Sequence, residues 1–179
     1  RGYRCDGYDG EFFVVSRLTP LKRIDLVMRA LVEPAAHGLR LTIAGDGEQL
    51  GDLRTLAKWL DIADRVSFVG RVDDEALLTH YARCRAVVFT PVREDYGFVA
   101  AEAFASRKPV ITCVDSGGPT EVVDHERNGL VVAPTAPAVA AAMRRLADDA
   151  ALAERLGAAG YALNASMTWD RVVGRLVVV

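Results

Sequence analysis

Short, almost uninterrupted apolar runs alternate with longer amphipathic stretches along most of the chain. That alternation constrains the fold more than any single motif. The runs are 11–16 (EFFVVS), 39–44 (LRLTIA), 65–69 (RVSFV), 86–90 (AVVFT), 109–114 (PVITCV) and 129–132 (GLVV). A strand with one wet face alternates polar and apolar residues, whereas a continuous run belongs to a strand buried on both faces. Between the runs, 24–31, 48–60, 73–82, 97–105 and 137–146 carry helical spacing. In the second of these, Leu50, Leu53, Leu56, Ala57 and Leu60 share one helical stripe. Asp73 and Asp74 stand where a helix N-terminus offers free N–H groups to a carboxylate. The pattern predicts an α/β domain: a Rossmann-like, doubly wound parallel sheet of about six strands covered by helices.

Composition narrows the function classes. The 179 residues suffice for one domain with a sizeable core, and 51% hydrophobic against 26% charged residues excludes a disordered chain. A net charge of −2 argues against a nucleic-acid binder, which works through a basic surplus. No run reaches the ~18 apolar residues of a membrane helix, and membrane association is otherwise left open. Cys5, Cys84 and Cys113 form no Cys-x-x-Cys pair, so a reducing cytosol is the expected compartment. His37, His80 and His125 lack metal-ligand spacing, and no metal site is expected. The chain opens with Arg1 and shows no signal peptide, so it reads as a piece of something longer.

In a doubly wound sheet the binding crevice lies beyond the carboxyl ends of the strands. The residues just after each run are therefore informative: Ser16-Arg17-Leu18, Gly45-Asp46-Gly47, Gly70-Arg71, Arg93-Glu94-Asp95-Tyr96-Gly97 and Asp115-Ser116-Gly117-Gly118-Pro119. Arg17 and Lys22 lie across a strand-to-helix turn, where two cations beside a helix start can clamp a diphosphate. A solvated surface pair is the competing reading. Glu94 falls at the crevice mouth and Glu102 more than a turn into a largely apolar helix, where a carboxylate needs a partner. A ribose diol is one such partner, and an ordinary surface glutamate is the alternative. Gly97 would let a phosphate approach the N–H groups of Gly97, Phe98 and Val99. Gly45-Asp46-Gly47 lacks the third glycine of a dinucleotide fingerprint and reads better as a tight turn. Ser116-Gly117-Gly118-Pro119 reads as a bend into a helix, with glycines that could also admit a ligand. No Ser-His-Asp or Cys-His arrangement and no Walker motif is present.

Together these pieces resemble the carboxyl-terminal half of a GT-B glycosyltransferase of family 4, the large retaining group that includes glycogen, sucrose and mannosyl transferases. The most specific element is Glu94-Asp-Tyr-Gly-Phe-Val-Ala-Ala-Glu102, the family's Glu-x7-Glu motif. After it come Lys108-Pro-Val-Ile, Asp115-Ser-Gly-Gly-Pro-Thr-Glu121 and Asn128-Gly129. Val15-Ser16-Arg17-Leu18 with Lys22-Arg23, Phe68-Val69-Gly70-Arg71 and Thr168-Trp169 match further family segments in order. Asp95-Tyr96 departs from the commoner small residue and Phe, and Ser106-Arg107 lacks the usual glycine before the Pro, which puts sugar selectivity in question.

The resemblance implies donor-diphosphate binding by Arg17 and Lys22, ribose binding by Glu102 and donor-sugar contact by Glu94. It places the phosphates on Gly97, Phe98 and Val99, and the nucleobase against Gly70, Arg71 and Val72. Arg17, Lys22 and Glu94 would carry the catalytic stabilisation. It further implies retention of anomeric configuration, no cofactor and no metal, and the enzyme is expected to be bacterial and cytoplasmic. Residues 1–10 then read as an interdomain linker remnant, 11–167 as the nucleotide-sugar-binding domain and 168–179 as the start of a crossover helix. The acceptor half of the same polypeptide is absent, so the isolated chain is expected to bind donor and transfer little alone. The competing readings are a sugar-nucleotide epimerase half and a non-catalytic nucleotide-sugar or partner-binding module.

Overall fold

The computed structural model describes residues 2–167. The Thr168-Trp169 segment and the expected crossover helix lie outside the described residues. Six strands form one parallel sheet: β1 (Phe12–Val15), β2 (Leu41–Ala44), β3 (Val66–Gly70), β4 (Val87–Val88), β5 (Val110–Cys113) and β6 (Gly129–Val132). Their order is β3-β2-β1-β4-β5-β6, so the direction of winding reverses between β1 and β4. Phe13 sits on the seam, in register with Thr42 on one side and Val87 on the other.

The helices are α1 (Ile24–Ala30), α2 (Leu50–Trp59), α3 (Asp74–Arg83), α4 (Phe98–Ala105), α5 (Pro119–Val122), α6 (Ala136–Asp148) and α7 (Ala150–Ser166). The continuous apolar runs are explained by the two cores they feed. Phe12, Val14, Leu41, Ile43, Val88 and Ile111 enter one core with α1, α2 and α6. Phe13, Ala44, Val87, Phe89 and Val110 enter the other with α3 and α4. Successive strand residues point to opposite faces, so a strand covered on both must be apolar at every position.

The expected elements are present, with shifted bounds and additions. The run 86–90 pairs as a ladder only over Val87–Val88. Beyond it, the carbonyls of Thr90 and Pro91 leave the sheet to accept hydrogen bonds from Arg23, at 2.7 and 2.8 Å. Asp73 caps α3 by accepting from the Ala76 N–H at 2.8 Å. The Ala-rich region divides into α6 and α7 at Asp149, whose carboxylate accepts from the Leu152 N–H at 2.8 Å and so starts the second helix. α4 ends without glycine. Arg107 takes the left-handed conformation (φ 56°) instead, and Lys108 N–H closes back on the Ala103 carbonyl at 2.8 Å. The segment ahead of β1 lies against the domain: Asp6 N–H donates to the Ala82 carbonyl at 2.8 Å, and fully buried Lys108 donates to the Gly7 carbonyl. Among the described residues no helix is long and apolar enough to cross a membrane.

Candidate functional site

The reversal of strand order opens a crevice above the carboxyl ends of β1 and β4. After β1 the chain makes a single 3-10 turn, Pro20–Lys22, and Arg23 leaves it with φ 49° before α1 begins. That turn aims Lys22 across the seam, where its ammonium pairs with the Glu94 carboxylate arriving from β4. The ammonium also stands 5.7 Å from the centre of the Phe89 ring. The side chains are 22% and 24% exposed, so the pair is half-buried.

Arg23 holds the turn in place. Its guanidinium binds both oxygens of Asp115 at 2.7 Å, besides the carbonyls of Thr90 and Pro91. One side chain thus ties the β1–α1 turn to the ends of β4 and β5. The hydrogen bonds from Arg23 hold the Asp115 carboxyl below the usual carboxylate range.

The Glu94 loop rests on the loop after β5. Glu94 N–H donates to the Ser116 carbonyl at 2.8 Å, and Gly118 N–H donates to the Glu94 carbonyl at 2.7 Å. A Cβ on Gly117 would lie 2.6 Å from the Glu94 oxygen, and one on Gly118 would lie 2.1 Å from the Asp95 oxygen. What these glycines admit is therefore the backbone of 94–96, and Pro119 then opens α5. Gly97 (φ 75°) turns the same loop into α4. The N–H groups of Gly97, Phe98 and Val99 open that helix, and a helix start lacks intrahelical acceptors for such groups.

Glu102 lies one turn further along α4, half-buried, and accepts a hydrogen bond from the Tyr81 hydroxyl at 2.9 Å. Arg17 has different surroundings from Lys22. It is exposed and lines a cavity of about 430 Å³ with Ser16, Gly45, Asp46, Gly47 and Arg71. Gly45 and Gly47 serve close approach: added Cβ atoms would lie 1.9 Å from the Ser16 oxygen and 2.4 Å from the Leu18 oxygen. Gly70 ends β3 with φ 70°, and Val72 packs on the core shared by α3 and α4. The structure thus brings Lys22 to Glu94 and Arg17 to Arg71. Sequence reasoning missed Asp115 as the partner of Arg23 and Tyr81 as the partner of Glu102. Among the described residues no group of three His, Cys, Asp or Glu side chains gathers as a metal-binding cluster.

Comparison with known proteins agrees with this architecture. Residues 6–163 match the family described as glycosyl transferases group 1. The chain is 37% identical over 175 residues to the GDP-mannose-dependent alpha-(1-6)-phosphatidylinositol monomannoside mannosyltransferase of Mycobacterium tuberculosis, an alignment covering 90% of this chain and 45% of that protein. Its fold is similar to that of Anabaena HepE, solved with UDP and glucose, at a TM-score of 0.82 and 22% identity over 94% of this chain and 47% of that one. It is also similar to the C-terminal domain of a glycosyl transferase group 1 family protein from Francisella tularensis, at a TM-score of 0.80 and 20% identity over 92% of this chain and 94% of that one. The chain therefore spans about half the length of the mannosyltransferase and of HepE. With the sequence motifs, the parallel sheet and the family match all in agreement, this chain belongs to the glycosyl transferases group 1 family.

Proposed function

We propose that this chain is the donor-binding domain of a retaining, metal-independent glycosyltransferase, which transfers a sugar from a nucleotide diphosphate sugar to an acceptor held by another half of the polypeptide. The observation that carries the reading is the Lys22–Glu94 pair at the seam of the sheet, beside the start of α4. Without donor, each neutralises the other's charge. With donor, Lys22 turns to the diphosphate, and Glu94 accepts from sugar hydroxyls and faces the positive charge that develops at the anomeric carbon.

Arg17 and the amides of Gly97, Phe98 and Val99 share the phosphate charge, which supplies without a divalent ion the stabilisation that the departing nucleoside diphosphate needs. Glu102 binds the ribose hydroxyls, and Arg71 with Val72 borders the base. The names of similar proteins support a nucleotide-sugar donor: one is GDP-mannose-dependent and another was solved with UDP and glucose.

The test is calorimetric titration of the chain and of Glu102→Ala with UDP-, GDP- and ADP-sugars, without added metal and again with magnesium. Binding by one nucleotide class, independent of metal and lost in the variant, is the expected result. Absence of binding both in this chain and in a chain rejoined to its acceptor half would overturn the reading.

A further inference from the structure

Tyr81 occupies a core position on α3 and is 0% exposed. A buried phenol nevertheless needs a partner for its hydroxyl, and this one donates to Glu102 Oε2 at 2.9 Å. The ring is fixed on two sides. Phe13 meets it edge-on with centroids 5.3 Å apart, and Tyr3, from the segment ahead of β1, meets it at 6.3 Å. Burial first, and then the adjacent Glu102 charge, push the phenol well above its ordinary range, so it stays a donor throughout the working pH range. The hydrogen bond therefore comes from a donor that packing does not allow to rotate away. An ionised carboxylate has about four acceptor positions, and a fixed donor on one of them sets the direction of the others.

We propose that Tyr81 is a positioning residue for donor binding: it holds the Glu102 carboxylate in the orientation that accepts a vicinal diol, and Tyr3 belongs to the same supporting layer. The inference rests on the ribose-binding role proposed for Glu102. The competing account is a core tyrosine that uses Glu102 only to satisfy its own hydroxyl. That account predicts no effect on how the site distinguishes ribose from deoxyribose.

The experiment measures UDP and GDP against their 2′-deoxy counterparts by calorimetry. It uses the chain as it stands, or rejoined to its acceptor half if binding requires it. Wild type, Tyr81→Phe, Glu102→Ala and the double variant are compared, with urea midpoints recorded in parallel. Wild type is expected to prefer the ribonucleotide by about tenfold or more, as a hydrogen bond to a charged group allows. Tyr81→Phe should cut that ratio about fivefold by weakening only the ribonucleotide, and should add nothing once Glu102 is gone.

If Glu102→Ala abolishes the preference while Tyr81→Phe leaves it intact, or weakens both nucleotides equally, Tyr81 is core packing and the proposal falls alone. If Glu102→Ala keeps the preference, or wild type binds neither form, the ribose reading of Glu102 falls and takes this one with it. Should Tyr81→Phe fail to fold, Tyr3→Leu decides. It removes the edge contact and leaves the hydrogen bond, so a smaller loss of preference supports the layer and an unchanged ratio overturns it.

Discussion

Lys22 and Glu94 lie 72 residues apart in the chain and meet at the one line in the sheet where strand order reverses. A half-exposed ion pair contributes little to folding, about 1 kcal/mol or less. Lys22→Met is therefore expected to leave the urea midpoint nearly unchanged while weakening nucleoside diphosphate binding at least about tenfold, a loss typical of a charge-assisted hydrogen bond. Paired denaturation and calorimetric curves check this, and equal affinity in the variant would remove Lys22 from the site.

Gly118→Ala should damage the site without touching it. Its Cβ would lie 2.1 Å from the Asp95 oxygen, which is backbone and cannot swing aside. The loop carrying Glu94 must move, at a cost of about 1–3 kcal/mol for an overpacked contact. Urea denaturation should show that loss, and donor affinity should fall with it.

The Arg23–Asp115 clamp predicts a pH dependence. Asp115 has a folded-state pKa held below its unfolded value by Arg23. Its contribution to stability is therefore complete above the unfolded carboxylate pKa of about 3.9 and lost as pH falls through the lower folded value. Because the Asp115 side chain is 42% exposed, the effect is small, about 1 kcal/mol at most. Urea midpoints tracked from about pH 5 downward should decline less steeply in Asp115→Asn than in wild type.

The cysteines should differ in reactivity. Burial pushes the Cys84 thiol up to about 12 and the Cys113 thiol up to about 11, whereas Cys5 is half-buried. A disulfide-exchange reagent at neutral pH should titrate Cys5 in the native chain and all 3 thiols only after denaturation. Mass mapping of the labelled sites reads the result.

Lys108→Met should loosen the segment ahead of β1. The buried ammonium donates to the Gly7 carbonyl and stands 4.3 Å from the centre of the Tyr8 ring. Methionine fills similar volume but leaves that carbonyl only the weak Cys5 thiol donor at 3.8 Å, at a cost of about 1–2 kcal/mol. Hydrogen exchange at the Asp6 amide, which is bonded to Ala82, should accelerate more than exchange at β1.

The inner strands were legible because a strand covered on both faces must be apolar throughout, and β1, β4 and β5 are close to that. β3, at the sheet edge, instead alternates, with Ser67 and Val69 exposed. The stripe from Leu50 to Leu60 was legible for the same reason in helical period, since all five of its apolar residues join one core. The candidate site residues were legible only as residue types at strand ends. What stayed hidden was pairing across long separations. Arg23 reads as one more surface cation beside Lys22 until β5 brings Asp115 to it, and Tyr81 reads as a core aromatic until α4 brings Glu102 alongside. The left-handed turns at Arg23, Arg93 and Arg107 were also hidden, because only glycine advertises a positive φ. Gly117 and Gly118 read as a bend whose glycines could also admit a ligand. What approaches them is the Glu94 loop.

α4 is a rod of 8 residues, about 12 Å long at 1.5 Å per residue. At its far end the Arg107 carbonyl accepts from the Tyr8 hydroxyl, and the Arg107 guanidinium lies 4.3 Å from the Tyr161 ring centre on α7. Phe104 of α4 lies so close to Gly160 of α7 that a Cβ there would fall 2.2 Å from its ring. Both the leading segment and the last described helix therefore grip the rod at the end opposite Gly97. A pull or twist arriving through either of them loads this lever at its tail, and the other end of the rod carries the amides of Gly97, Phe98 and Val99.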